Sequence, residues 1–137
     1  MKIPKMPHIS NWTPLLVALG AILLMVLFFQ ESEGFETKPS ELDAIINQPE
    51  KTLVLFYADW CGYCKNMKPE WDATAKEMNK EKKRMLKVNV GEKTDEQEAL
   101  LTKYKIDGFP TVLVFQKGTP SPYVGEYKDD IFKKNLA

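Results

Sequence analysis

The 137-residue sequence predicts an α/β domain with a central mixed sheet flanked by helices, preceded by one N-terminal transmembrane helix. Three observations predict it. Helical and strand patterns alternate from Ser40 onward in the order helix, strand, helix, strand, helix, strand, strand, helix, the signature of a layered α/β fold. Thr52 to Ala58 (TLVLFYA) is a near-continuous apolar run, as expected of a strand buried on both faces. Leu15 to Phe29 (LLVALGAILLMVLFF) carries no charge and no strongly polar side chain. The chain therefore divides into a short cytoplasmic tail (1–11), a transmembrane signal anchor (12–30), a linker (31–39) and a folded domain (40–137).

The anchor comes first. With Trp12, Thr13 and Pro14 the apolar span reaches 18 residues, about 27 Å of helix against a hydrocarbon core of about 30 Å. Pro14 suits a first helical turn, and Trp12 suits the lipid–water interface. Lys2, Lys5 and the amino terminus precede the span, whereas Glu31, Glu33 and Glu36 follow it. The positive-inside rule makes this a single-pass membrane protein with a cytoplasmic N-terminus and a lumenal or extracytoplasmic C-terminal domain. A cleaved signal peptide is an alternative, with Ser32 and Gly34 as the small residues of a cleavage site, though Glu31 and Glu33 interrupt it. A buried core helix is another, opposed by the absence of a polar stripe.

The domain elements follow in order. Ser40 reads as a helix N-cap with Asp43 three residues on, and Leu42, Ile45 and Ile46 as the apolar face. The strand over 52–58 runs straight into Asp59-Trp60-Cys61-Gly62-Tyr63-Cys64. Cys64, Met67, Trp71, Ala75 and Met78 then recur at helical spacing, with Pro69 as a bend. Met85 to Val90 is a second strand. Thr94 to Gln97 has the form of a capping box, opening a helix with Leu100, Leu101 and Tyr104 inward. Gly108-Phe109-Pro110 turns into a third strand over 111–115. Gly118 to Pro122 reads as a hairpin turn, Tyr123 to Tyr127 as a fourth strand, and Asp129 to Leu136 as a closing helix.

Composition narrows the function. The 19 basic and 19 acidic residues leave no field for nucleic acid. The two cysteines lie three positions apart, too few and too close to staple a scaffold. At a strand-to-helix junction such a pair has a specific use. Cys61, at the helix N-terminus, faces unpaired N–H groups and the positive end of the helix dipole, which favour the thiolate that attacks disulfides. Cys61 is thus the expected nucleophile, and Cys64, one turn on, the resolving thiol. Zinc needs four ligands, and the single histidine, His8, lies beyond the anchor, so no metal is expected. No bound cofactor is expected either, because the Cys61–Cys64 pair itself carries the electrons.

Phe56 to Trp71 (FYADWCGYCKNMKPEW) resembles the active-site segment of the thioredoxin superfamily. Trp60 precedes the first cysteine, Lys65 follows the second and Pro69 lies five residues beyond it. Gly108-Phe109-Pro110-Thr111 resembles the family's cis-proline loop. The likeness covers about Lys38 to Ala137 and implies a thioredoxin-like fold, a cis Phe109–Pro110 bond, and a substrate-binding surface of Trp60, Phe109 and Pro110. It also implies supporting roles for Trp60, Gly62, Tyr63 and Lys87. Tyr123-Val-Gly125-Glu126-Tyr127, followed by Phe132, is similar to the ending of disulfide-isomerase domains, with Tyr127 where those carry arginine.

Departures from the family bear on mechanism. The family's buried acid before the motif is replaced by Leu55, so deprotonation of Cys64 falls to water, Lys87 or another group. Slow resolution is expected, and a glutamate at position 55 is expected to speed it. Tyr63 stands where thioredoxins carry proline and disulfide isomerases histidine, which leaves the redox poise open.

The resulting expectation is a thiol–disulfide oxidoreductase acting on protein thiols and disulfides, oxidase or isomerase before reductase, with no redox partner identified. The alternatives are an extracytoplasmic disulfide reductase, a thioredoxin-like binding or adaptor module with little turnover, and an anchored assembly protein.

Overall fold

The computed structural model describes residues 13–29, 35–82 and 84–137. It comprises two units, Met1–Gly34 and Phe35–Ala137. In the first, Thr13–Phe29 form helix α1. Leu15, Leu16, Val17, Leu19 and Ile22 to Met25 all stand exposed. The 17 residues of α1 rise about 26 Å. Among the described residues no helix is long and apolar enough to cross a membrane. The described part of the expected span, Thr13–Phe29, is helical. The expected tail 1–11, Trp12 and residues 30–34 lie outside the described residues.

The second unit is a four-stranded mixed sheet with helices on both faces. Its elements are α2 (Pro39–Ile46), β1 (Thr52–Tyr57), α3 (Gly62–Met78), β2 (Met85–Asn89), α4 (Asp95–Tyr104), β3 (Thr111–Gln116), β4 (Thr119–Pro122) and α5 (Asp129–Leu136). The strand order is β2-β1-β3-β4, with β1 parallel to β2 and antiparallel to β3. Every residue of β1 is buried, which explains why its sequence shows no polar alternation.

Successive β1 side chains point to opposite faces. Leu53, Leu55 and Tyr57 join Met67, Trp71 and Ala75 of α3 and Phe132 and Leu136 of α5 in one core. Val54 and Phe56 join Leu42 and Ile46 of α2 and Leu100 of α4 in the other. Trp71 and Phe132 meet edge to face at 5.1 Å, an arrangement that adds roughly 0.5–1.5 kcal/mol to area burial. Asp43 of α2 accepts from Lys103 Nζ of α4 at 2.8 Å and from the Tyr104 hydroxyl at 3.1 Å, tying those helices together.

Three local expectations need correction. The N-cap of α2 is Lys38, with Pro39 in the first turn and no side-chain cap, so Ser40 lies inside the helix. Proline's fixed φ makes it a natural first helical residue, one position earlier than a serine cap would set the start. Thr94 caps α4 by accepting from Gln97 N, but the Gln97 side chain donates to Asn89 O and does not return to Thr94. The fourth strand is Thr119–Pro122 rather than 123–127. Lys117 and Gly118 both have positive φ, 51° and 77°, the backbone of a two-residue hairpin turn whose twist matches the flanking strands. The chain therefore reverses before Thr119.

Residues 35–37, expected to be linker, pair with the outer edge of β2. Thr37 N donates to Lys87 O and Lys87 N to Phe35 O, both at 2.9 Å. Glu36 thereby lies opposite Lys87 in a parallel bridge.

Candidate active site

Cys61 is the N-cap of α3, in extended conformation with φ −79° and ψ 115°, and its sulfur accepts the Cys64 N–H at 3.2 Å. This places sulfur where the helix dipole and free N–H groups stabilise negative charge. Cys61 and Cys64 are joined as a disulfide with Cα atoms 5.3 Å apart. Cys61 is 7% exposed and Cys64 wholly buried, so the first sulfur is the one a partner reaches. Gly62 and Tyr63 between them are exposed, Tyr63 by 80%.

Trp60 lies over the loop that follows β2. Its indole N–H donates to Gly91 O at 3.3 Å, and its ring meets Phe109 edge to face with centroids 5.8 Å apart. The Phe109–Pro110 peptide is cis, and both residues are half-buried. Beyond Pro110 the surface falls into a shallow groove of about 320 Å³ lined by Tyr63, Asn66, Met67, Pro110 and Tyr127. Tyr127 stacks on Tyr123, whose hydroxyl donates to Glu126 O. The position expected to carry arginine thus supplies an aromatic wall. Exposed Trp60, Tyr63 and Tyr127 flank the disulfide with apolar surface.

Polar pairs lie where β1 and β2 face α3. Lys87 is buried, and its ammonium donates to Asp72 Oδ1 of α3 at 2.8 Å. The Tyr57 hydroxyl donates to Glu36 Oε1 at 2.7 Å. Burial, then that hydrogen bond, push the Tyr57 hydroxyl well above its ordinary titration range, so it stays protonated. Lys68 Nζ lies 4.2 Å from the centre of the Tyr57 ring and 3.8 Å from Asp59 Oδ1. Among the described residues no group of three or more His, Cys, Asp or Glu is placed to hold a metal ion.

The expected site residues thus fall in three places. Cys61, Gly62, Tyr63 and Cys64 open α3; Trp60, Phe109 and Pro110 form the rim; Lys87 lies on β2, opposite Leu55 in the β1–β2 register. The sequence reading did not single out Gly91, Asp72 or Glu36. A Cβ at Gly91 would meet Ala58 Cβ at 2.7 Å and Trp60 Nε1 at 3.1 Å, so the rim needs glycine there. Asp72 pairs with Lys87, 15 positions away, while Lys68 one turn before it faces Asp59, so helical spacing does not point to the pair.

Known proteins match this arrangement. The family model described as thioredoxin matches residues 34–137. The chain is 39% identical over 94 residues to human protein disulfide-isomerase A6, covering 67% of this chain and 21% of that protein. It is 35% identical over 107 residues to protein disulfide isomerase-like 5-3 of Oryza sativa subsp. japonica, covering 78% and 25%. The chain therefore spans about a quarter or less of the length of these curated relatives. In fold it is similar to the first thioredoxin domain of mouse protein disulfide-isomerase A4, with TM-score 0.61 and 23% identity over 74% of this chain and 71% of that one. It is also similar to oxidised mitochondrial thioredoxin 3 of Saccharomyces cerevisiae, with TM-score 0.58 and 21% identity over 77% and 95%. With the model spanning the whole second unit and the redox pair where the fold puts it, the chain belongs to the thioredoxin family.

Proposed function

We propose that this protein is a thiol–disulfide oxidoreductase acting on protein thiols and disulfides. The observation that carries the reading is the Cys61 sulfur seated at the start of α3, accepting the Cys64 N–H, with Cys64 buried one turn behind it. In one direction the Cys61 thiolate attacks a client disulfide, releasing one client thiol and leaving a Cys61–client disulfide. Cys64 then attacks Cys61 Sγ, closing the Cys61–Cys64 bond and releasing the second client thiol. The client gains the two electrons that the cysteine pair loses; oxidation of a client runs the same steps backwards. Trp60, Phe109 and Pro110 form the surface that receives the client chain. Oxidase or isomerase work is favoured over reduction, supported by the disulfide isomerases among the relatives.

The apolar segment 12–30 tethers the domain to a membrane in this reading, with the N-terminus cytoplasmic and the domain lumenal or extracytoplasmic. Its support is the exposed apolar surface of Pro14 to Met25 and the Lys2, Lys5 to Glu31, Glu33 charge asymmetry around the segment. Protease treatment of sealed membranes tests this: digestion of the domain from the cytoplasmic side overturns the orientation.

The deciding experiment is the reduction potential of the Cys61–Cys64 pair together with Cys61→Ser. A potential near about −180 mV supports oxidant or isomerase work, whereas one near about −270 mV marks a reductase. Cys61→Ser abolishes exchange with protein disulfides. The second reading, a binding module with little turnover, has Leu55 in its favour, since the apolar side chain leaves that position without a proton acceptor. Function retained by Cys61→Ser in its native setting selects the binding module.

A further inference from the structure

Cys64 cannot resolve a mixed disulfide until its thiol loses a proton, and it is wholly buried. Cys64 belongs to a buried core that also holds Leu55, Tyr57, Met67, Trp71, Val112, Val114, Phe132 and Leu136; besides the cysteines, the titratable side chains in or against that core are Tyr57 and Tyr123, and of these Tyr57 hydrogen-bonds a carboxylate. Leu55 offers no acceptor. The register of the sheet supplies one from elsewhere. Leu55 lies opposite Lys87, and Lys87 opposite Glu36. Residues directly opposite in paired strands point to the same face, so Glu36, Lys87 and Leu55 form one row. Glu36 Oε1 takes the Tyr57 hydroxyl and Asp72 takes the Lys87 ammonium.

We propose that Glu36, on the segment that pairs with the outer edge of β2, is the positioning carboxylate for the proton of Cys64, acting through Tyr57 beside the Lys87–Asp72 pair in place of an acid at position 55. This rests on the exchange activity proposed above. During resolution the Cys64 proton passes toward this network and out through Glu36, which is exposed to water. The sulfur's electron pair then forms the Cys61–Cys64 bond while the Cys61–client bond breaks, and the client sulfur leaves as a thiolate that takes up a proton from water. The charged and titratable groups on this side are Glu36, Tyr57, Asp59, Lys68, Asp72 and Lys87. β3 and α5 contribute Val112, Val114, Phe132 and Leu136 to the same core.

The inference reverses one expectation from sequence. If the carboxylate already arrives from Glu36, a glutamate at position 55 adds little to the native protein and matters only when Glu36 is gone.

The test is stopped-flow reaction of the reduced full-length chain, in detergent, with 5,5′-dithiobis(2-nitrobenzoate). Attack by Cys61 releases the first thionitrobenzoate and resolution by Cys64 the second. Glu36→Gln is expected to slow the second phase roughly 100-fold at neutral pH, the lower end of the range for a lost proton acceptor, and to leave the first unchanged. The deficit is expected to shrink as pH rises and solvent takes the proton directly. Tyr57→Phe is expected to slow the second phase similarly, with the double variant no slower than either single one. Leu55→Glu is expected to restore the second phase in the Glu36→Gln background. An unchanged second phase in Glu36→Gln, equal slowing of both phases, or additive losses in the double variant would overturn the proposal. Absence of a second phase in the native chain instead overturns the exchange function itself.

Discussion

Trp60 is held in place by Gly91: the indole N–H donates to the glycine carbonyl at 3.3 Å, and the same glycine has no room for a side chain on that side. A methyl there would come within 2.7 Å of Ala58 Cβ, and Ala58 is itself wholly buried. Because Ala58 leads directly to the active-site turn, strain at this point is passed to the rim rather than absorbed at the surface.

Gly91→Ala is therefore expected to destabilise the domain by about 1–3 kcal/mol, the usual range for overpacking. It is also expected to weaken turnover of a protein disulfide more than reaction with a small aromatic disulfide. Urea unfolding and the two activities side by side check this. Native stability with native Trp60 fluorescence would show that the loop yields freely.

Tyr63 lies between the two cysteines, and at 80% exposure it can change without disturbing the core. A histidine there places a titratable cation at the N-terminus of α3, beside the sulfur that would carry negative charge. Tyr63→His is expected to lower the Cys61 thiol pKa and raise the reduction potential by about 30 mV, a tenfold shift in equilibrium constant. Equilibration against a glutathione buffer measures it. A potential unmoved by the substitution would mean that residue 63 does not set the poise.

Asp43 gives the fold a pH dependence remote from the cysteines. The Lys103 ammonium beside it, chiefly through their hydrogen bond, holds the Asp43 carboxyl below the usual carboxylate range, while the same bond raises Lys103. A depressed carboxyl stabilises above its unfolded pKa and loses that contribution as pH falls through the folded value. A raised lysine stabilises below its unfolded pKa and loses the contribution as pH rises through the folded value. The pair works between roughly pH 4 and pH 10. Both side chains are half exposed, so solvent screening limits the effect, and Asp43→Asn is expected to cost no more than about 1 kcal/mol at pH 7. The difference between native and variant should shrink between pH 7 and about pH 2, as the carboxyl takes up its proton. Urea titrations at the two pH values decide it; an equal deficit at both would assign the loss to packing.

What the sequence made legible was local. The β1 run, the periodic face of α3 and the bounds of α5 each follow from patterns within a few residues, and each appears in the structure. The hairpin was misplaced because Gly118-Thr-Pro resembles a turn, while the actual reversal needs Lys117 in a left-handed conformation that its side chain does not advertise. Gly91 escaped because its constraint is an approach by Ala58 and Trp60 from distant positions. Glu36 escaped for the same kind of reason: it reads as one more acid in a linker, and only the pairing of three strands brings it into line with Lys87 and Leu55.

The two rims of the sheet carry a consequence of their own. On one side β4 is four residues long, fully exposed, and contains Pro120 and Pro122, which have no N–H to offer. On the other, Phe35 and Thr37 already occupy Lys87. An incoming extended chain finds little free backbone to zip onto at either border. Neither border of the sheet is therefore a ready template for cross-strand pairing between copies of this domain. The loop end of the sheet, where the cysteines are, is the part of the domain whose exposed surface does not depend on strand pairing.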